Sequence, residues 1–373
     1  MKYYIIAGEP SGDLHAAFLI RELKQKDPNA EFRVWGGDNM QKEGAFVVKH
    51  IKDLSFMGFV EVLANIRTIL YNIRFCKKDI LFYQPDCVIF VDYPGFNLRM
   101  AAFCHKKGLK TIYYISPKVW AWKKGRIVLM KKVLTKLFVI FPFEVEFFKG
   151  YNFDVEYYGN PLLDEIQAYN QFQDKTEFLD RNKLGQKPIV ALLPGSREQE
   201  IKALLPIQVS LAEKYPDFDF VIAGMNTHKD TFYTNLIDNA PVHIVYNQIY
   251  PLLNVAYCAV VCSGTATLET ALFNVPEVVC YKANPISFAI GKMLVKLKFI
   301  SLVNLILNRQ AVVELLQGNW NEDNLEKEFR KIAYDTGYRA EMEMNYSNLR
   351  TILGSAGASK KIAKRIVEII SEN

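Results

Sequence analysis

The stretch Val190–Ile201, VALLPGSREQEI, constrains the fold more tightly than any other part of the chain. A short apolar run, Ile189–Leu193, stops at Pro194-Gly195, and a polar, helix-permissive run begins at Ser196. That order predicts a strand, a tight turn and a helix N-terminus. Helix N-termini expose unpaired backbone N–H groups and a partial positive charge, so they hold phosphate well. Gly195 lets backbone approach a ligand closely, and Ser196 can cap the helix or donate to an oxygen. Arg197 adds a flat fork of donors suited to a diphosphate. An ordinary strand-to-helix turn with a surface arginine would use the same residues.

The same grammar recurs along the chain. Lys2–Ala7 reads as a strand running into Gly8-Glu9-Pro10-Ser11-Gly12-Asp13, and a helix with Leu14, Phe18, Leu19 and Leu23 on one face follows. Further strands are expected at Phe32–Trp35, Cys87–Val91, Thr111–Ile115, Leu137–Phe141 and Val155–Gly159. A basic helix is expected over Lys123–Leu134. Cys87–Val91 is wholly apolar, as the centre of a parallel sheet requires. The polar run Gln167–Gln186 reads as a linker with a short helix. Beyond it, strands are expected at Ile189–Leu193, Asp219–Ala223, Val242–Tyr246, Ala259–Cys262 and Glu277–Tyr281. The tail from Ser355 is amphipathic, with Ile362, Ile366, Ile369 and Ile370 opposite Lys360, Lys361, Lys364 and Arg365. Strand–helix alternation in both halves predicts two doubly wound α/β domains, and 373 residues suffice for two cores.

Polar residues recur just past the strand ends, the edge where open parallel sheets bind ligands. In the first half these are Glu9, Ser11, Asp13, Asp92, Asn97 and Ser116. Ser11 and Asp13 serve equally as turn or cap residues. Asp92 follows a fully apolar strand among aromatics, so its carboxylate is expected to be partly desolvated and available as a base. In the second half, Ser263-Gly264-Thr265-Ala266-Thr267 forms another phosphate-compatible turn. Glu269 then stands where a carboxylate can accept from a ribose diol, although the helix dipole alone favours an acid there.

Composition narrows the partners. A net charge of +6 suits a phosphate-bearing ligand or an anionic membrane but is too weak to indicate nucleic acid. Cys76, Cys87, Cys104, Cys258, Cys262 and Cys280 form no C-x-x-C pair and mostly lie in apolar runs, so reduced buried thiols in a cytoplasmic protein are expected. The N-terminus lacks the features of a secretory signal. The apolar region Ile286–Leu307 carries Lys292, Lys296 and Lys298, which argues against a spanning helix. Asp53–Cys76, dense in large apolar residues with Arg67, Arg74, Lys77 and Lys78 among and beside them, reads as a loop and one or two amphipathic helices that suit a core, a membrane surface or, around Met57–Leu70, an acyl chain. Neither a DxD pair nor H-E-x-x-H occurs and the five histidines are dispersed, so no metal and no cofactor is expected.

Five motifs then occur in order: Ala7-Gly8-Glu9-Pro10-Ser11-Gly12-Asp13, Met57-Gly58-Phe59-Val60-Glu61-Val62, Ser116-Pro117-Lys118-Val119-Trp120-Ala121-Trp122, Leu193-Pro194-Gly195-Ser196-Arg197 and Ser263-Gly264-Thr265-Ala266-Thr267-Leu268-Glu269. Together, and over nearly the whole chain, they resemble the bacterial lipid-A-disaccharide synthases. Two positions depart from that pattern: Asn160 stands where many relatives carry histidine, and Val303 where many carry proline. The resemblance implies a GT-B fold of two Rossmann-like domains with an inter-domain cleft. Its parts would be an acceptor- and lipid-binding domain over 1–167, a UDP-sugar domain over 168–348, and a C-terminal helix over 349–373 returning to the first domain.

The resemblance also implies a metal-independent, inverting transfer. UDP-2,3-diacylglucosamine gives its sugar to the 6-hydroxyl of 2,3-diacylglucosamine 1-phosphate, forming a β-1,6 link and releasing UDP. Asp92 would be the base, with Glu9 in reserve, and Arg197 would stabilise the leaving diphosphate with Gly195 and Ser196. Ser263, Gly264, Thr265, Glu269 and Asn304 would hold the rest of UDP. Ser11, Met57, Glu61, Asn97, Ser116 and Trp120 would hold the acceptor and its lipid. The implied setting is the cytoplasmic surface of the inner membrane, bound peripherally, with no nucleic acid and with room for a homodimer. Two other readings stand beside it. One is a different GT-B enzyme, such as a UDP-GlcNAc 2-epimerase or another lipid-linked sugar transferase, against which the GEPSGD and SPKVWAW runs argue. The other is a non-catalytic peripheral membrane scaffold, which joint retention of Asp92, Arg197 and Glu269 disfavours.

Overall fold

A computed structural model describes residues 1–53, 66–170, 175–226, 228, 230–283 and 298–372. The apolar runs become the strands. In the first sheet they are β1 (Lys2–Ala7), β2 (Glu31–Gly36), β3 (Phe46–His50), β4 (Cys87–Val91), β5 (Lys110–Tyr114), β6 (Lys136–Val139) and β7 (Glu156–Tyr157). Among the described residues these pair in the order β3-β2-β1-β4-β5-β6-β7, all parallel. The second sheet holds β8 (Ile189–Leu193), β9 (Asp219–Gly224), β10 (Val242–Tyr246), β11 (Ala256–Cys262), β12 (Glu277–Tyr281) and β13 (Val313–Leu316). Its order is β10-β9-β8-β11-β12-β13, again all parallel. Both are doubly wound α/β sheets, as the alternation predicts. β3 and β13 were not expected from sequence. Each closes an edge, is short and is largely half-exposed, so its apolar signal is weak.

The chain divides into two compact units, Met1–Glu165 with Leu353–Asn373, and Ile166–Ile352. The stretch expected as a linker overlaps two helices, Pro161–Asn170 and Lys175–Arg181. In the first unit the two-residue period of the strands sorts side chains between two cores. Tyr3, Ile5 and Ala7 of β1 and Cys87, Ile89 and Val91 of β4 face the helix Pro10–Lys26 and the C-terminal helix Ala358–Ser371. Tyr4, Ile6, Val88 and Phe90 face the helices Pro94–Lys106 and Arg126–Val133 on the other side. The six cysteines are free and buried. Among the described residues no helix is long and apolar enough to cross a membrane.

The C-terminal helix is fixed at both ends as well as along its face. Ile362 and Ile366 are fully buried, and Ile369 nearly so, against the helix Pro10–Lys26. At its N-terminus Gly357 takes φ +103, where a side chain would be strained. There the Asp164 carboxylate accepts from the backbone N–H groups of Gly357, Ala358 and Ser359, at 2.5, 3.2 and 2.8 Å. At its C-terminus Lys110 Nζ donates to the carbonyls of Ile369, Ile370 and Glu372 at 2.8, 3.0 and 2.6 Å. Both charges suit the helix dipole. Asp164→Ala is expected to cost about 1–2 kcal/mol, the usual worth of a lost cap. Urea melts would show this, and hydrogen exchange would localise the loosening to Ala358–Ser371. Unchanged protection there would contradict it.

Candidate functional site

Each sheet has one place where the winding reverses, and such a place opens a crevice at the strands' C-terminal ends. In the first sheet it lies between β1 and β4, which pair in register to Ala7 opposite Val91. Gly8-Glu9 and Asp92-Tyr93 therefore leave the sheet side by side. The Tyr93 ring lies across Gly8, where an added Cβ would stand 2.3 Å from the ring. Asp92 and Tyr93 both take left-handed backbone, φ +42 and +50, a strained pair that the surroundings must hold. They do so from below. Tyr113 Oη donates to the Asp92 carbonyl at 2.5 Å, and Asn97 Nδ2 donates to the carbonyls of Asp92, Ile6 and Val91 at 2.7, 3.2 and 3.3 Å.

The Asp92 side chain is partly buried at this turn. Burial is the main reason its carboxyl is pushed up to about 6, and Glu9 adds to the rise. Lys118, the Tyr93 backbone N–H and His15 oppose it. His15, on the helix that follows Glu9, lies with its ring Nδ1 against the Glu165 carboxylate. A carboxylate poised near 6 is largely ionised at neutral pH yet basic enough to take a proton in a transition state. Glu9 is half-exposed and is the N-terminal cap position of its helix. Ser11 is exposed in that helix's first turn.

β5 supplies the next loop. Ile115 takes φ +66, costly for a β-branched residue, and turns the chain into Ser116-Pro117-Lys118. Ser116 is buried and donates to the Pro117 carbonyl at 3.1 Å. Trp120 Nε1 donates to Glu144 Oε1 at 3.2 Å, and its ring meets Phe143 edge-on. Glu144 also accepts from the N–H groups of Ile140 and Phe141. Burial lifts its carboxyl to about 7 against these bonds and the nearby Lys118 charge.

In the second sheet the reversal lies between β8 and β11, with Leu193 opposite Val261. Pro194-Gly195 and Ser263-Gly264 leave side by side. Gly195 has φ +107, and a Cβ there would stand 2.7 Å from Glu200 Oε2 and 3.2 Å from Cys262 Sγ. The helix begins at Glu198 rather than Ser196, with Arg197 at the cap position and its side chain 66% exposed. The Glu200 carboxylate accepts from the Ser196 and Arg197 N–H groups, both at 3.3 Å, and pairs with the Arg197 guanidinium at 3.5 Å. The donors expected to face a diphosphate are thus held by an internal carboxylate. Beside them Ser263 Oγ donates to the Ile300 carbonyl at 3.2 Å, and Gly264 and Thr265 are exposed at the start of the helix Thr265–Leu272. Glu269 accepts from Tyr250 Oη at 3.2 Å.

The structure gives several expected ligand residues other tasks. Asn97 is fully buried beneath Asp92, so it holds the turn and cannot reach an acceptor. Asn304 is likewise fully buried. Its amide bonds Val312 and Glu314 as donor and Ala311 and Val312 as acceptor, leaving nothing for a nucleotide. It braces the segment that Ser263 touches. Asp13 caps the helix Asp38–Lys42 through the N–H groups of Gly37, Asn39 and Met40, the cap role its sequence position allowed. Asn160 donates to Ile140 and accepts from the Leu162 N–H. Met57 and Glu61 lie outside the described residues; Leu70, at the end of that apolar stretch, is 48% exposed. Sequence reasoning gave no role to Lys118, His15, Tyr113, Glu144 or Glu200. Glu144 and Glu200 had a local signal, since a glutamate three residues past a helix cap closes a capping box.

Comparison with known proteins agrees with this architecture. A family model described as lipid-A-disaccharide synthetase matches residues 3–370. The lipid-A-disaccharide synthase of Coxiella burnetii (strain CbuG_Q212) is 36% identical over 378 residues, covering 98% of each chain. That of Geobacter sulfurreducens is 32% identical over 375 residues, covering 99% of this chain and 97% of its own. Among solved structures, the UDP-GlcNAc 2-epimerase of Neisseria meningitidis bound to UDP-GlcNAc superposes with TM-score 0.73 at 15% identity, over 99% of this chain and 100% of its own. A kitacinnamycin glycosyltransferase does so at 0.66 and 13%, over 99% of each. At such identities the likeness speaks for the GT-B fold alone.

Proposed function

The chain belongs to the lipid-A-disaccharide synthase family and is a glycosyltransferase of lipid A biosynthesis, and from that premise we propose which of its residues carry the transfer. The donor is UDP-2,3-diacylglucosamine and the acceptor 2,3-diacylglucosamine 1-phosphate. Asp92 takes the proton from the acceptor 6-hydroxyl as that oxygen attacks the donor's anomeric carbon. The bond from that carbon to the UDP oxygen breaks on the opposite face, so the centre inverts and a β-1,6 link forms. UDP leaves with its new charge on Arg197, while Ser263, Thr265 and Glu269 hold the nucleotide.

One observation carries this reading: an acid raised to about 6 stands at the first sheet's winding reversal, on backbone strained into place. Glu9, its neighbour, keeps Asp92 basic and is the reserve base. Lys118 and Trp120 suit the acceptor end, the lysine for a phosphate and the indole for a sugar face. Because both substrates carry acyl chains, the enzyme works at a bilayer surface, the cytoplasmic face of the inner membrane.

The test is UDP release by purified protein in detergent, with donor and acceptor each omitted in turn. Release that needs both, with a new disaccharide lipid, is the expected result. Release from the donor alone would replace the transferase reading with a hydrolase or epimerase site. No release and no UDP affinity would leave only a scaffold.

A further inference from the structure

From Pro117 to Phe143 the sequence carries no acidic residue, yet it contains Lys123, Lys124, Arg126, Lys131 and Lys132. The helix Arg126–Val133 explains how these are displayed. Its core face is Ile127, Met130 and Val133, spaced at threes, so Val128, Leu129, Lys131 and Lys132 must point outward. Val128 is 75% exposed and Leu129 38%. Just before the helix, Trp122 is 45% exposed, with Lys123 Nζ 4.2 Å and Arg126 Cζ 5.7 Å from its ring centre. At the far end Lys131 Nζ reaches the carbonyl of Tyr151, itself 40% exposed. None of these lysines, nor Arg126, forms an ion pair among the described residues. The exposed Glu146 and Asp154 nearby in sequence pair with Lys149 and Lys136 instead.

Single exposed apolar residues are ordinary, but a contiguous set ringed by unpaired cations is not. Trp and Tyr flanking aliphatic side chains, with lysines whose stems can extend outward, match the interface of an anionic bilayer. We propose that Trp122, Val128, Leu129 and Tyr151, with their surrounding lysines, form the face by which this enzyme rests on an anionic lipid surface. This rests on the lipid-substrate reading above and adds the place of contact. The Arg126 charge is felt at Tyr113, whose hydroxyl holds the Asp92 carbonyl, so the face begins beside the turn that carries the proposed base.

The test uses the full chain and vesicles of phosphatidylcholine with and without phosphatidylglycerol. Co-sedimentation should favour the anionic vesicles strongly. Each lysine near such a surface is worth about fivefold. Joint replacement of Lys123, Lys124, Lys131 and Lys132 by Gln should therefore lower binding by up to roughly six hundredfold where all four reach the surface, with no change in Tm. A second variant, Val128→Ser with Leu129→Ser, should lower it several-fold by lost insertion. Both variants should keep wild-type rates on detergent-dispersed substrates and lose rate on substrates embedded in vesicles. Wild-type vesicle binding by both variants, or equal binding of wild type to neutral and anionic vesicles, would overturn the proposal. So would failure of the wild type to bind anionic vesicles, which would turn the face over to an acidic protein partner. Loss of turnover by the wild type in detergent would instead strike the transferase reading, independently of this face.

Discussion

Asp92→Asn is expected to abolish sugar transfer while leaving UDP affinity within about twofold, since loss of a positioned general base removes about 10²–10⁴ in rate. Asparagine is the informative replacement. It keeps the shape of the side chain and tolerates the φ of +42 that most residues would resist. Any loss can then be laid to the missing base rather than to a collapsed turn. The wild-type pH profile of kcat/KM should fall on the acid side with a midpoint near 6, because the base acts when ionised and is protonated as pH drops through its raised value. Glu9→Gln should move that midpoint downward, since Glu9 is the second cause of the rise after burial. The sign of the stability effect is opposite to that of activity. A folded-state carboxyl raised above its ordinary 3.8 opposes folding wherever it is ionised, and the penalty is relieved as pH falls through about 6. Asp92→Asn should therefore melt no lower than wild type at pH 7.5 and is expected to melt higher. A variant that transfers sugar at a near-normal rate would remove Asp92 from the chemistry and leave Glu9 as the base.

The double-wound sheets were legible because buried parallel strands need uninterrupted apolar runs, and β1, β4, β8 and β12 span the residues their runs mark. Edge strands β3 and β13 escaped because an edge needs only a few half-exposed apolar residues. The basic helix expected from Lys123 starts at Arg126 because Lys123 takes φ +55 and breaks the helical path. Strand-end polar residues were also legible as a class, but not by task. Asp92 and Asn97 lie five positions apart on one loop and helix, yet one faces the crevice and the other is its buried brace. Sequence pattern gives the edge on which a residue emerges; only packing decides whether its amide is already spent. Asn304 shows the same limit, since its partners Val312 and Glu314 lie just before and within a strand that no pattern announced. Lys118 was in plain view inside SPKVWAW, but its influence on both Asp92 and Glu144 depends on the turn at Ile115.

At the other switch point, Arg197→Ala and Glu200→Gln are expected to act in opposite directions. Arg197 is the exposed cation at the Pro194-Gly195 turn, and charge-assisted bonds to a departing diphosphate are worth about 1.5–3 kcal/mol each. Its removal should lower kcat/KM by roughly a hundredfold. Glu200 currently holds the Ser196 and Arg197 N–H groups and the guanidinium itself. A diphosphate seated there must compete with that carboxylate for every one of these donors and also meets its negative charge. Glu200→Gln removes the charge but keeps an oxygen to close the helix cap, at a stability cost below the about 1 kcal/mol of a lost cap. UDP binding by calorimetry should then tighten roughly tenfold, the scale of one neighbouring like charge at a partly solvated site. If UDP binding weakens instead, the carboxylate is a scaffold that the nucleotide needs in place, and the diphosphate reads the guanidinium rather than the turn. The double variant separates the two cases, because an Arg197→Ala background abolishes the gain only if Glu200 competes for the guanidinium.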